Sequence, residues 1–429
     1  MQSPMAQMQN TRRGLRRPPT TAPISPMRPV APPVHLGLRI LGTSIRMVTE
    51  TQHILTTSDR LTRLRDKMHQ LGLDAFLVLI DANRRYLSGY SGEDGQFDET
   101  AGALLISPEQ CLLATDSRYE LQARQEAHGF DIVCYRKSLY EALPQLFRQA
   151  KAKRVGFESV RMSVKHHQDL ISRLQSEADP LKLVPTENQV ESLRATKDPI
   201  EITTTRKAVR CAETAFHRLC EWIRPDMTEN AVARKLEDFM REAGAECASF
   251  PIIVAAGPNS AKPHAVPGNR KIQTGEPLLV DWGARVEGYC SDISRTVVIG
   301  ASDTRFVEIY TIVRKAQNAA IAAIRPGASG QGIDAVARQI IADAGYGDHF
   351  GHSLGHGTGL FIHEAPRLSP YSEDTLTPGM IVTVEPGIYL PDWGGIRLEN
   401  QVVVTENGAD VLNMLDLDDY RLAPPAQGS

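Results

Sequence analysis

The chain of 429 residues lacks any CxxC pair: its six cysteines (Cys111, Cys134, Cys211, Cys220, Cys247 and Cys290) are scattered singly. That spacing excludes a zinc knuckle and a thioredoxin-type redox motif, and it fits partly buried free thiols in a reducing compartment. Long apolar runs are also missing. Stretches such as Phe76 to Ile80 fall far short of the roughly 18 to 20 residues of a membrane helix, which predicts a soluble, cytoplasmic protein with no membrane partner. Neither charge sign dominates, with 48 Lys and Arg against 51 Asp and Glu for a formal charge of −3, so a nucleic-acid partner is not expected.

Acidic residues are absent from the first 49 positions, which hold seven Arg and eight Pro. Such a composition cannot bury enough apolar surface to offset chain entropy, so residues 1–57 read as a disordered arm. An Arg-rich, acid-poor arm also fits an organellar transit peptide, with Val34 to Met47 weakly amphipathic, although Arg39 and Arg46 interrupt any secretory core. A solvated tail, or a true start at Met47, weighs more than targeting.

At Ser58 the pattern changes. Ser58 is the expected N-cap of a helix with Leu61, Leu64, Met68 and Leu71 on one stripe and Gly72 as its stop. Strand-like runs follow from Ala75, Ala103, Cys111, Asp131 and Arg154, with helical stretches near Arg118, Leu139 and Ser163. This reads as an α/β domain over 58–188 without a cluster of metal ligands, suited to shaping a site or to oligomerisation. A second domain, 189–425, opens with a helix from about Pro199 to Ile223.

The second domain contains an internal repeat. RPDMTENAVARKLEDFMREAG from Arg224 aligns without a gap on RPGASGQGIDAVARQIIADAG from Arg325, with Thr228 and Ser329 as equivalent N-caps. His264-Ala-Val-Pro is echoed by His363-Glu-Ala-Pro. A duplicated α+β domain places its site between related halves.

Each half also carries a carboxylate hairpin. In LLVDWGARVEGYCSDISRTVVI, a turn centred between Val286 and Glu287 sets Asp281 opposite Asp292, with Cβ atoms about 5 Å apart. In IVTVEPGIYLPDWGGIRLENQVVV, Glu385 and Glu399 lie symmetrically about Asp392. Either pair alone fits a solvated sheet face. Four carboxylates in one pocket call for divalent cations. In DHFGHSLGHGTGLFIHEAP, His349, His352, His356 and His363 alternate with glycines; some of these histidines must be structural. A phosphate cradle is disfavoured there because the Walker lysine and the dinucleotide spacing are missing. One imidazole with carboxylates suits Mn²⁺, with Co²⁺ and Zn²⁺ also admissible. Two such ions sharing a water point to hydrolysis.

VDWGA with SDISRT, then HSLGHGTGLFIHEAP, VEPGIY and GIRLEN, in that order, resemble the metal-site signature of the pita-bread metallopeptidases. The similarity runs from Ser58 to about Leu422. It implies a creatinase/prolidase-like α/β N-terminal domain before a duplicated pita-bread catalytic domain, a homodimer, and two divalent ions. By this resemblance Asp281 chelates one ion, Asp292 and Glu399 bridge both, and His356 and Glu385 bind the other. The resemblance further implies Glu385 as general base, His264 and His363 as donors to substrate and the tetrahedral intermediate, and His352 and Arg397 lining the pocket beyond the scissile bond. Arg397 pairing a neighbouring carboxylate is an equal reading, and His349 stays structural. The implied substrate is a peptide with Pro in second position, cleaved as by aminopeptidase P. Prolidase action on Xaa-Pro dipeptides is the alternative, followed by a non-peptide hydrolase or lyase and an inactive peptide-binding module.

Overall fold

The computed structural model describes residues 56–96, 99–175, 181–416 and 420–422. The expected Arg/Pro-rich arm, the Met47 start, the segment Val34 to Met47 and the domain end at 425 lie outside them.

Helix α1 covers 56–70. Ser58 is therefore inside the helix rather than its N-cap, and its carbonyl accepts from Thr62 Oγ1 at 2.9 Å. Leu61, Leu64 and Met68 are buried as the stripe predicts, but Leu71 is exposed because the helix has ended at residue 70 and the chain turns away at Gly72, φ +61°. Strands β1 (Ala75–Val78), β2 (Ala103–Ile106), β3 (Cys111–Thr115), β4 (Asp131–Cys134), β5 (Arg154–Glu158) and β6 (Lys182–Thr186) form one mixed sheet in the order β4-β3-β2-β1-β5-β6. Helices α2 (Asp81–Ser88), α3 (Glu120–Glu126), α4 (Leu139–Gln149) and α5 (Val164–Gln175) complete this α/β layer. Strand β6 and helix α2 were not anticipated. Pro185 in β6 disguises an edge strand, and the polar run DANRRYLS disguises a buried helix.

A short helix α6 (Glu191–Arg194) leads to α7 (Pro199–Trp222). Asp198 and Glu201 close a capping box around Pro199 at the first helical position, so the long helix starts where its sequence signals dictate. The repeat is realised in helices α8 (Glu229–Glu242) and α10 (Gly330–Asp343). Thr228 and Ser329 each accept from the backbone N–H three residues on. Helix α9 (Thr304–Ala323) is the counterpart of α7.

In the first half, α7 and α8 cover β8 (Ile253–Ala256), β9 (Leu278–Trp282) and β12 (Ile293–Ile299), with β20 (Arg421–Leu422) on the edge. Trp282 is fully buried there, stacked on Phe216 with ring centroids 4.4 Å apart and donating to the Ala212 carbonyl at 3.0 Å. A small sheet of β7 (Cys247–Ala248), β10 (Ala284–Val286) and β11 (Tyr289–Cys290) extends the hairpin. In the second half, α9 and α10 cover β13 (Gly355–Gly357), β14 (Glu364–Leu368), β15 (Ile381–Val384), β18 (Asn400–Thr405) and β19 (Gly408–Val411). The β16 (Gly387–Leu390) and β17 (Gly394–Arg397) hairpin projects between β15 and β18. The outcome is the expected α/β domain followed by a duplicated α+β domain.

Candidate metal centre

The first hairpin needs a correction. Its two turn residues are Glu287 and Gly288, both at positive φ (+49° and +82°), so the centre lies one residue later than the sequence suggested. Pairing shifts by two: Asp281 faces Ser294, and Asp292 sits on the diagonal. A two-residue shift preserves the face, because side chains alternate with a period of two, so both acids still point into one pocket. The second hairpin has the expected register, since Val384 faces Asn400 and Gly387 faces Arg397, leaving Glu385 opposite Glu399.

Carboxylate oxygens of Asp281, Asp292 and Glu399 lie within 4.8 Å of one another. His356 Nε2 completes the group at 3.5 Å from Asp292 Oδ2 and 3.4 Å from Glu385 Oε1. The glycine run explains how His356 arrives there. A Cβ at Gly355 would lie 2.0 Å from the Thr383 carbonyl oxygen, and one at Gly357 would lie 2.2 Å from that of Ala365, so β13 fits between its neighbours only without side chains at these positions. Gly355 and Gly357 thus serve strand packing.

The electrostatics are those of a cation site. Burial, reinforced by the neighbouring carboxylates, pushes Asp292 and Glu399 well above the ordinary carboxylate range, and burial raises Glu385 to about 7. Burial drives His356 down to about 3. Its Nδ1 lies 3.0 Å from the Gly357 carbonyl, which can only accept, so Nδ1 carries the proton and Nε2 offers a lone pair. That lone pair faces two carboxylate oxygens, and once both acids are ionised all three are acceptors that a cation between them would hold. Asp281 Oδ1 and Glu399 Oε1 are buried with no hydrogen-bond partner among the described residues. Oxygen-rich donors, a correctly tautomerised imidazole and orphaned oxygens all fit divalent metal.

Supporting groups surround the five. Ser294 Oγ donates to Glu399 at 2.8 Å, and Thr383 Oγ1 donates to Glu385 at 3.1 Å and accepts from the His356 N–H at 3.0 Å. Arg397 is buried, donating to Asp281 Oδ2 at 2.5 Å, to Ser294 Oγ at 2.9 Å and to Tyr389 at 2.8 Å. Of its two sequence readings, the carboxylate pairing is the one present here. His352 Nδ1 donates to the Ser353 carbonyl at 2.8 Å, so Nε2 accepts from the Tyr389 hydroxyl at 2.8 Å. Burial, with Arg397 nearby, lowers His352 to about 4 and keeps it neutral. Tyr389 thus links two expected pocket residues and was missed; its position in VEPGIY was the available signal. His363 stacks edge-on against His356, ring centroids 4.4 Å apart. His264 is exposed and close enough to depress both His352 and His363. His349 instead packs against Tyr346, with ring centroids 6.3 Å apart.

Comparison with known proteins decides the family. Residues 203–406 match the model of metallopeptidase family M24, and residues 60–196 match the creatinase/prolidase N-terminal domain. The chain belongs to metallopeptidase family M24. An uncharacterized peptidase of Bacillus subtilis is 41% identical, covering 81% of this chain and 96% of that protein. The Xaa-Pro dipeptidase of Pyrococcus horikoshii is 35% identical over 82% of this chain and 96% of its own. Among solved structures, the Xaa-Pro dipeptidase from Bacillus anthracis superposes with TM-score 0.79 at 38% identity, covering 84% of this chain and 98% of that one. The X-Pro aminopeptidase from Thermotoga maritima follows at 0.77 and 35%, covering 84% and 99%. As an M24 metallopeptidase the chain is a hydrolase that depends on divalent metal.

Proposed function

We propose that this M24 peptidase is an Xaa-Pro dipeptidase with two divalent ions, Mn²⁺ by preference, held by Asp281, Asp292, His356, Glu385 and Glu399. The observation that carries this reading is the convergence of those five side chains with buried, unpartnered carboxylate oxygens between them. Bound ions would polarise a water and the scissile carbonyl. Glu385 would accept the proton of that water and pass it to the leaving imino nitrogen. His363 and His264 would donate to the substrate carbonyl as negative charge develops. His352, oriented by Tyr389, would line the space for the proline ring, with Arg397 acting beneath it by holding Tyr389 and Asp281. A dedicated ring pocket is needed because an Xaa-Pro imide has no N–H to recognise.

The names of the Pyrococcus and Bacillus anthracis relatives support dipeptides as substrate, reversing the order suggested by sequence alone. The Thermotoga relative's name supports the second reading, removal of the first residue from longer Xaa-Pro peptides. We place the sheet domain at 58–188 and the catalytic domain from 189 onward, in a cytoplasmic homodimer. The six cysteines form no disulfide, which supports a reducing compartment, and among the described residues no helix is long and apolar enough to cross a membrane.

The test is hydrolysis by the Mn²⁺-reconstituted protein of Gly-Pro, a longer Xaa-Pro-Xaa peptide and an Xaa-Ala control. Cleavage of the dipeptide alone supports the proposal. Cleavage of the longer peptide at Xaa-Pro moves the assignment to aminopeptidase P, and turnover of neither overturns both readings.

A further inference from the structure

Glu364 follows His363 in the chain, and its carboxylate is the hub of a buried ion cluster separate from the metal pocket. Arg194 and Lys197 both reach it from the segment that joins the sheet domain to α7. Arg194 Nη2 donates to Oε1, and Lys197 Nζ donates to Oε2 at 3.1 Å. None of the three side chains is more than 7% exposed. The same carboxylate accepts the Phe361 N–H at 2.9 Å, and a Cβ at Gly359 would sit 2.7 Å from Oε2. One carboxylate therefore closes the turn 361–364 that carries His363.

The cluster is anchored from the sheet domain as well. Arg194 Nη1 donates to Asn83 Oδ1 at 2.6 Å, and Asn83 Nδ2 donates to Glu158 at 2.6 Å and to Glu191 at 2.9 Å. The Arg194 guanidinium carbon also lies 4.9 Å from the centroid of the Phe361 ring, at the other end of the turn. The two histidine loops are secured differently. In the loop that holds His264, buried Glu229 accepts from the N–H groups of Ala256 and Gly268 at 2.8 and 2.9 Å and from Asn259, all within its own half of the domain.

We propose that Glu364, clamped by Arg194 and Lys197, is the positioning residue for His363, and that through this triad the sheet domain sets how far that imidazole reaches into the metal pocket. The task of His363 rests on the peptidase reading above; its placement does not. Apart from its edge-on contact with His356 the His363 side chain is exposed, so its position depends chiefly on the loop. Two cations on one carboxylate fix the loop at both oxygens, and a misplacement of about 1 Å at a catalytic group costs about 100-fold in rate.

The experiment compares the full chain with Glu364→Gln, Arg194→Met and the milder Arg194→Lys. The first readout is the imidazole NMR signal of His363 in zinc-loaded protein labelled with ¹³C-histidine, assigned by His363→Asn. The second is Gly-Pro hydrolysis by the manganese-loaded protein at measured metal content. We expect Glu364→Gln and Arg194→Met to displace or broaden the His363 signal and to lower kcat by about 30- to 100-fold, with KM and metal content unchanged and Arg194→Lys intermediate. An unmoved His363 signal in the folded variants overturns the proposal whether or not the protein is active, and so does a kcat within twofold of wild type. If Glu364→Gln or Arg194→Met fails to fold, Arg194→Lys decides by the same two readouts. A wild-type protein that cleaves no Xaa-Pro peptide overturns the peptidase reading alone, and the NMR signal then decides the positioning role.

Discussion

Arg397 Nη2 lies 2.5 Å from Asp281 Oδ2, while Asp281 Oδ1 is buried and has no hydrogen-bond partner among the described residues. One oxygen of this aspartate is thus neutralised by a fixed protein cation and the other is directed at the neighbouring carboxylates. The guanidinium is buried, and its remaining donors go to Ser294, Tyr389 and the Pro263 carbonyl, so it is part of the wall that shapes the acids.

Replacing Arg397 by Met keeps bulk but strands Asp281 beside three other acids. Breaking a buried pair from one side costs about 3–5 kcal/mol, so metal-free Arg397→Met should unfold at markedly lower urea than the metal-free parent. Divalent metal, by supplying the missing positive charge, should recover most of that loss. Urea midpoints with and without Mn²⁺ check this; a variant as stable as the parent without metal would show that the pair carries no net stability.

Asp292 stands where the carboxylates of both halves meet His356. Asp292→Asn is isosteric but removes the charge, so the protein should stay folded, retain at most one ion, and lose activity by about 1,000-fold or more. Elemental analysis beside turnover is the measurement, and near-wild-type turnover would refute the ligand assignment.

Gly357→Ala would drive a methyl to within 2.2 Å of a backbone carbonyl. Backbone cannot yield as a flexible side chain can, so β13 must shift and carry His356 with it. Metal affinity should fall at least tenfold, read by competition with a chelating dye.

Glu158 offers a pH test away from the metal pocket. Burial first, with Glu191 adding to it, raises Glu158 to about 7, although the N–H groups of Leu79 and Ile80 donate to it at 2.6 and 2.7 Å. A carboxyl whose folded pKa exceeds its unfolded value binds more protons when folded, so its contribution is full below about 4.5 and is lost as pH rises to about 7, of order 3 kcal/mol. Glu158→Gln should therefore flatten the decline in stability across that interval. Denaturation of both proteins at pH 5 and pH 7.5 gives the comparison, and parallel declines would show that another group is responsible.

Much of the architecture was legible in the chain. Equivalent caps at Thr228 and Ser329 begin equivalent helices because capping is local. The glutamate hairpin has the register that its symmetry about Asp392 predicts. The aspartate hairpin turns one residue later than its symmetry predicts, because Glu287 adopts positive φ, a conformation sequence assigns more readily to glycine. Strand β6 is not legible in the sequence because a proline on an edge strand looks like a break.

By itself the sequence determined which residue types alternate on which strand face, where the capped helices of the repeat start, and that two carboxylate pairs and an imidazole follow in order across a duplicated domain. These follow from periods of 2 and 3.6 residues and from capping, all set within a few positions of the chain. The tertiary structure alone decided that Arg397 faces Asp281, that Tyr389 joins Arg397 to His352, and that Arg194 and Lys197 meet Glu364. Several of those partners lie more than 100 residues apart, and a buried polar atom takes whichever donor the packing of two domains brings within about 3 Å, a distance no local pattern encodes.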